Sequence, residues 1–409
     1  MKEMYNGWEV VSLKNQWVTL FIAPQLGGRL LQLEMDGYTF FFVNPLLQGF
    51  TPDETRLGKN GTWLNYGGEK IWVAPQGWNS PEMWPGPPDP VLDGGVFSCD
   101  EGVRRLTLTG PYDAHTGLQI SRTVTLSEDA AELRITVRFE NQSDTPRKWA
   151  VWPVCQVHTP EVGTVKVICA INAKSVFPQG YKVVHGLVNN PQFGLNSEGH
   201  LAVDYQYLVG KVILDADAGW VAAVNRTNGK VLLMCYDYEP EQQYPDDASV
   251  HLWTQGKGMI YSRGRLLEFK DDFAITLPYM EMELVGPLQE ILPGRFSEFD
   301  YALKTATIPV YSTVTAVNET GVIAEKLTVI KKENSWQISG KYGLFQRGTL
   351  RLTLQNSSNL LAELSVSPLE GLEVAVSIDP LEDGNSHRLV LEFWDEKEHM
   401  KGVLDETYC

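Results

Sequence analysis

Apolar and polar residues alternate in run after run along this chain, and most runs end at a turn-forming residue. A period of two puts successive side chains on opposite faces of an extended strand. Residues 30–35 and 38–43 flank Asp36-Gly37, a pair that tolerates positive φ, so together they predict a β-hairpin. The same pattern predicts strands at 103–108, 118–126, 133–139, 149–157, 211–214, 231–236, 273–284 and 296–303. No helical period persists beyond a turn or two. Many strands joined by short turns imply an all-β chain built as a large sandwich or barrel.

Two places break the rhythm. Residues 44–95 are rich in Gly, Pro, Trp and Asn and include Trp63, Trp72, Trp78 and Trp84, four of the twelve tryptophans. A long loop in a compact domain is usually functional or disordered, and dense aromatics argue against disorder. This stretch therefore reads as an ordered loop layer over a sheet. The second break lies near Thr305-Ala306-Thr307. Beyond it about seven short strands separated by polar turns, such as Asn356-Ser357-Ser358, predict a small immunoglobulin-like β-sandwich. The expected domains are 1–306 and 307–409.

Composition narrows the function classes. The net charge of −17, with only isolated basic pairs such as Arg104-Arg105, argues against a nucleic-acid partner. No apolar run approaches a membrane span, and the opening residues carry no apolar core of a secretory signal. The five cysteines, Cys99, Cys155, Cys169, Cys235 and Cys409, are scattered and never in a Cys-x-x-Cys arrangement. They read as thiols in a cytoplasmic protein.

Four stretches carry candidate chemistry. Ala23-Pro24-Gln25-Leu26-Gly27-Gly28-Arg29-Leu30 places a glycine pair before a strand, which by itself is a tight turn. Asn65-Tyr66-Gly67-Gly68-Glu69-Lys70-Ile71-Trp72-Val73-Ala74-Pro75-Gln76 combines a cation, an amide and an indole. An aromatic face suits the C–H face of a pyranose, and fixed polar groups suit its hydroxyls. The strand Lys148-Trp149-Ala150-Val151-Trp152-Pro153-Val154-Cys155-Gln156-Val157-His158 puts Trp152, Val154, Gln156 and His158 on one face, and Pro153 predicts an edge or a bulge. In Tyr279-Met280-Glu281-Met282-Glu283-Leu284 two carboxylates share a face at roughly 6–7 Å, where each disfavours ionisation of the other. A weaker stretch, 243–253, sets the loop acids Asp246 and Asp247 beside Tyr244 and Trp253 and could bind sugar hydroxyls or Ca²⁺.

Together the four stretches resemble the galactose mutarotase-like (aldose 1-epimerase-like) superfamily, in an uncharacterised branch, over about residues 8–304. The resemblance implies a large β-supersandwich ahead of the immunoglobulin-like sandwich, and a sugar or short glycan as partner with no metal or other cofactor. It implies Glu281 as catalytic base and His158 as donor to the ring oxygen. Lys70, Trp72, Gln76, Trp78, Gln156, Glu283, Trp63 and Trp152 would then bind substrate, with Trp63, Trp72 and Trp78 lining the cleft. The Asn-His-x-Tyr-Phe-Asn motif of true galactose mutarotases is absent. Three readings therefore stand side by side. One is an aldose 1-epimerase interconverting anomers, and another a non-catalytic carbohydrate-binding protein. The third is an oligosaccharide lyase or hydrolase, with Lys70 and Arg29 available to neutralise a uronate.

Overall fold

The computed structural model describes residues 2–51, 63–355, 359–380 and 386–409, so the turn expected at Asn356-Ser357-Ser358 lies outside the described residues. Two units emerge, one comprising Met1–Leu126, Leu133–Ala223 and Met234–Leu303, the other Ser127–Glu132, Val224–Leu233 and Lys304–Cys409.

Two large antiparallel sheets dominate. Seven strands of the first position the site: β1 Arg29–Met35, β2 Glu69–Ala74, β3 Arg147–Val157, β4 Tyr181–Gly186, β5 Gly210–Leu214, β6 Val250–Gln255 and β7 Tyr279–Leu284. Their order across the sheet is β1-β2-β3-β7-β6-β5-β4, with Lys2–Tyr5, Trp8–Lys14 and Val18–Ala23 continuing beyond β1. The second sheet includes Glu132–Asn141, Leu118–Leu126 and Phe296–Thr307, which lie side by side within it. The Leu118–Leu126 strand alternates buried and partly exposed residues, the pattern of a sheet with one face on the core. The hairpin turns at Asp36 and Gly37, both at positive φ, as the sequence predicts.

The sheets are bolted together by charge as well as by apolar packing. Arg122, from the second sheet, donates to Glu69 Oε2 at 2.5 Å and to the carbonyl of Gly28. Tyr301, also from the second sheet, donates to Glu69 Oε1 at 2.6 Å. Glu69 and Arg122 are both buried, and successive residues of β2 point to opposite faces, so anchoring Glu69 inward leaves Lys70 on the other face.

Three expectations need correction. Residues 69–74 are not part of a loop layer but an interior strand, β2, between β1 and β3. All six of its residues are buried, so no alternation marks it in the sequence. Pro153 lies in an interior strand rather than at an edge. The β3–β7 ladder covers Val154–Val157 and stops at Pro153, where no amide hydrogen is available. The strand expected over 273–284 begins only at Tyr279, because residues 273–275 form a turn ahead of Pro278.

The second unit holds two four-stranded antiparallel sheets. One orders Ala316–Val317, Gly321–Lys331, Trp336–Leu344 and Leu372–Ile378; the other orders Asn359–Val366, Gly348–Leu354, Arg388–Asp395 and Met400–Tyr408. Ile338, Tyr342, Leu350, Leu352, Leu391 and Phe393 form the core between them.

Candidate functional site

Strand register assembles the site. Lys70 of β2 stands opposite Val154 of β3, and Trp72 opposite Trp152. On the other side of β3, Gln156 pairs with Glu281 and Val154 with Glu283 of β7. β6 then sets His251 opposite Glu283 and Trp253 opposite Glu281, and β5 sets Lys211 opposite Trp253. One face of the sheet thus gathers groups from residue 70 to residue 283. The turn before β2 demands glycine: Gly67 has φ +92, and a Cβ there would lie 2.0 Å from the carbonyl oxygen of Phe42.

Glu281 and Glu283 share that face yet live in different electrostatic surroundings. Glu281 Oε1 accepts a hydrogen bond from Gln156 Nε2 at 2.6 Å and faces Lys70 Nζ at 3.5 Å. Burial pushes the Glu281 carboxyl above its ordinary pKa; Lys70 opposes this and the charge of Glu283 adds to it. Burial likewise lowers the pKa of Lys70, against the pull of Glu281. The proton affinities of this pair are therefore drawn towards each other. Lys70 Nζ also lies 4.6 Å from the centre of the Trp72 ring, which gives the buried ammonium a cation–π partner.

Glu283 is the opposite case. Burial alone would raise its pKa, but the Lys211 ammonium, with His251, holds it at about 2. Its Oε2 accepts from Lys211 Nζ and from Trp152 Nε1, both at 2.9 Å. Glu283 is thus a fixed anion beside a carboxyl whose proton affinity is raised.

Beside these strands opens a cleft of about 360 Å³. Gln76, Trp152, Lys182, His185, Lys211 and His251 line it, and the turn carrying Asp246 and Asp247 forms part of its wall. Among the described residues, no group of three or more His, Cys, Asp or Glu is placed to hold a metal ion.

Each residue singled out from sequence can now be placed. Gln76 and Trp152 line the cleft. Lys70, Gln156, Glu281 and Glu283 meet on the adjoining stretch of sheet, all buried. Trp63 and Trp72 are tethered instead: their indole N–H groups donate to Asp93 at 2.8 and 3.1 Å, and Asp93 also pairs with Arg29 at 3.1 Å. Neither lines this cleft, contrary to expectation, because the buried Asp93 draws both indoles to itself. Trp78, 49% exposed, does not line it either. Arg29 is fully buried and bonded to Asp93 and to the carbonyls of Leu26 and Gly67, so it is not available to a uronate. His158 stands one residue past β3, half-buried and not among the residues that line this cleft, and burial lowers its pKa. The groups that sequence reasoning left out of the site are Lys211, His185, Lys182 and His251.

A family profile described as a domain of unknown function (DUF4380) matches residues 9–298. Among solved structures, a galactose mutarotase related enzyme from Lactobacillus acidophilus is similar at 10% identity, over 73% of this chain and 97% of its own, with a TM-score of 0.44. A galactose mutarotase-like protein from Lactobacillus casei is similar at 12% identity, over 72% and 99%, with a TM-score of 0.46. An aldose epimerase homologue from C. elegans is similar at 13% identity, over 73% and 98%, with a TM-score of 0.43. By its profile match, which spans most of the sequence, the chain belongs to the DUF4380 family.

Proposed function

We propose that this chain binds a sugar in the cleft beside β7 and interconverts its anomers by acid–base ring opening, with Glu281 as one of two proton-transfer groups. One observation carries this reading. Two buried carboxylates lie two residues apart on one face, one held ionised at about 2 and the other pushed up in proton affinity next to Lys70. Environments that drive a pair of titratable groups apart are how a site divides acid and base work. Mutarotation asks for little more: one group takes the proton of the anomeric hydroxyl while another protonates the ring oxygen. Trp152 and the half-buried Trp253 supply aromatic surface on the same face. The sequence motifs that resemble aldose 1-epimerases point the same way.

The binding half of the reading is tested by tryptophan emission. Trp152 lines the cleft, so titrating millimolar aldoses and short glycans should change the emission saturably. Substituting Trp152→Phe should reduce that response. Emission unchanged across neutral, acidic and phosphorylated sugars would remove the ground for a sugar site.

A further inference from the structure

The geometry points to His251 as the second proton-transfer residue of the cleft, a role that deepens the proposed anomer interconversion and rests on it. Three independent features single it out. It lines the cleft while being only 5% exposed, so it touches what enters without facing bulk solvent. Neither ring nitrogen has a hydrogen-bond partner among the described residues. A buried polar group left unpaired costs about 1–3 kcal/mol, and such groups in folded proteins call for an explanation. A substrate hydroxyl would supply the missing partner. Third, the imidazole is held in place from two sides: Trp152 packs edge-on against it at 5.8 Å, and Glu283 Oε2 lies 3.7 Å from Nδ1.

The surrounding charges define which role it takes. Glu283 faces it from β7, Lys211 from β5, Lys182 and His185 from β4, and Asp246 and Asp247 from the turn before β6. Burial, reinforced by Lys211, lowers its pKa below the ordinary 6.5, and Glu283 only partly offsets this. At neutral pH the ring is uncharged and carries one hydrogen. With that hydrogen on Nδ1, towards the anion of Glu283, Nε2 presents a lone pair. Glu283 and Lys211 are then positioning residues, the first favouring the Nδ1–H tautomer through its charge at 3.7 Å and stabilising the imidazolium once it forms.

Nε2 takes the proton of the anomeric hydroxyl, C1=O forms and the bond from C1 to the ring oxygen breaks. The ring oxygen takes a proton from the Lys70–Glu281 pair. After rotation about C1–C2 the flow reverses: the pair recovers its proton and the imidazolium returns one to the anomeric oxygen. This exchanges the parts that the motif resemblance implies, giving the base role to His251 and the acid role to the pair that includes Glu281.

The test is the rate of anomer equilibration, by polarimetry on freshly dissolved α-glucose, α-galactose and α-xylose, with wild type, H251N, H158N and K211M. H251N should lower kcat by about 10²-fold or more, the scale of general-base loss, with KM changed less than threefold. H158N should cost less than threefold. K211M keeps the histidine but removes the cation that disfavours its charged form, so the acidic limb of the pH–rate profile should move to higher pH. Lys211 also lowers the Glu281 pKa, so the shift is assigned to His251 by its absence from the residual activity of the double variant H251N/K211M relative to H251N. An active wild type whose H251N variant stays within threefold, or whose acidic limb is unmoved in K211M, overturns the assignment and leaves the proposed function intact. A wild type that binds aldoses without speeding equilibration overturns the proposed function, and the assignment falls with it.

Discussion

Glu281→Gln should abolish most turnover while leaving binding nearly intact. The amide keeps the shape of the side chain and can still meet Gln156 and Lys70, which now contact Oε1 at 2.6 and 3.5 Å. It cannot exchange a proton with substrate. Removing a positioned general acid or base typically costs about 10²–10⁴-fold in rate, and that is the expected fall in kcat. The dissociation constant for sugar, read from tryptophan emission, should move by less than a few-fold. A variant with wild-type kcat would show that the raised proton affinity of this carboxyl serves the fold alone. Structural ion pairs do perturb pKa values, so the kinetic result decides between the two.

The largest expected loss of stability lies behind the site. Arg122→Leu removes the cation that holds Glu69 from the opposite sheet and leaves the carboxylate buried with Tyr301 as its donor. Breaking a buried ion pair from one side costs about 3–5 kcal/mol, because the surviving charge has lost its compensation. The free energy of urea unfolding should fall by that amount. The double variant Arg122→Leu with Glu69→Leu should lose less than Arg122→Leu alone, since no uncompensated charge is left inside. A single variant within about 1 kcal/mol of wild type would mean that Glu69 is satisfied without Arg122. The pair bears on the site through alternation: Glu69 fixes β2 from behind, and its neighbour Lys70 lies on the face that carries Glu281.

What could be read in the sequence follows from where each strand sits. Leu118–Leu126 has one face on the core and shows it by alternation. The two carboxylates of β7 were legible because period two places them on one face whatever their neighbours. β2 was not legible: an interior strand buried on both faces reads Glu-Lys-Ile-Trp-Val-Ala, indistinguishable from an aromatic loop beside Gly67-Gly68. The tryptophans misled for a related reason. Sequence shows an indole but not its N–H partner, and Asp93, thirty residues beyond Trp63, draws Trp63 and Trp72 to itself. Lys211 and His251 reach Glu283 only through the sheet order β7-β6-β5, which joins segments some 30 and 70 residues apart. A usable signal did exist in β6, where His251, Trp253 and Gln255 alternate with Val250, Leu252 and Thr254. A strand that sets His, Trp and Gln on one side against Val and Leu on the other differs in character between its two faces.

Magnetisation-transfer NMR on an equilibrated aldose tests the central claim most directly, because it reads exchange between α and β anomers in the presence of the chain. The account predicts that wild type speeds this exchange well above the buffer rate for at least one sugar that it binds, and that Glu281→Gln returns the rate close to that of buffer. Exchange at the buffer rate for every sugar that perturbs the tryptophan emission would contradict it, and would make the cleft a binding site without turnover.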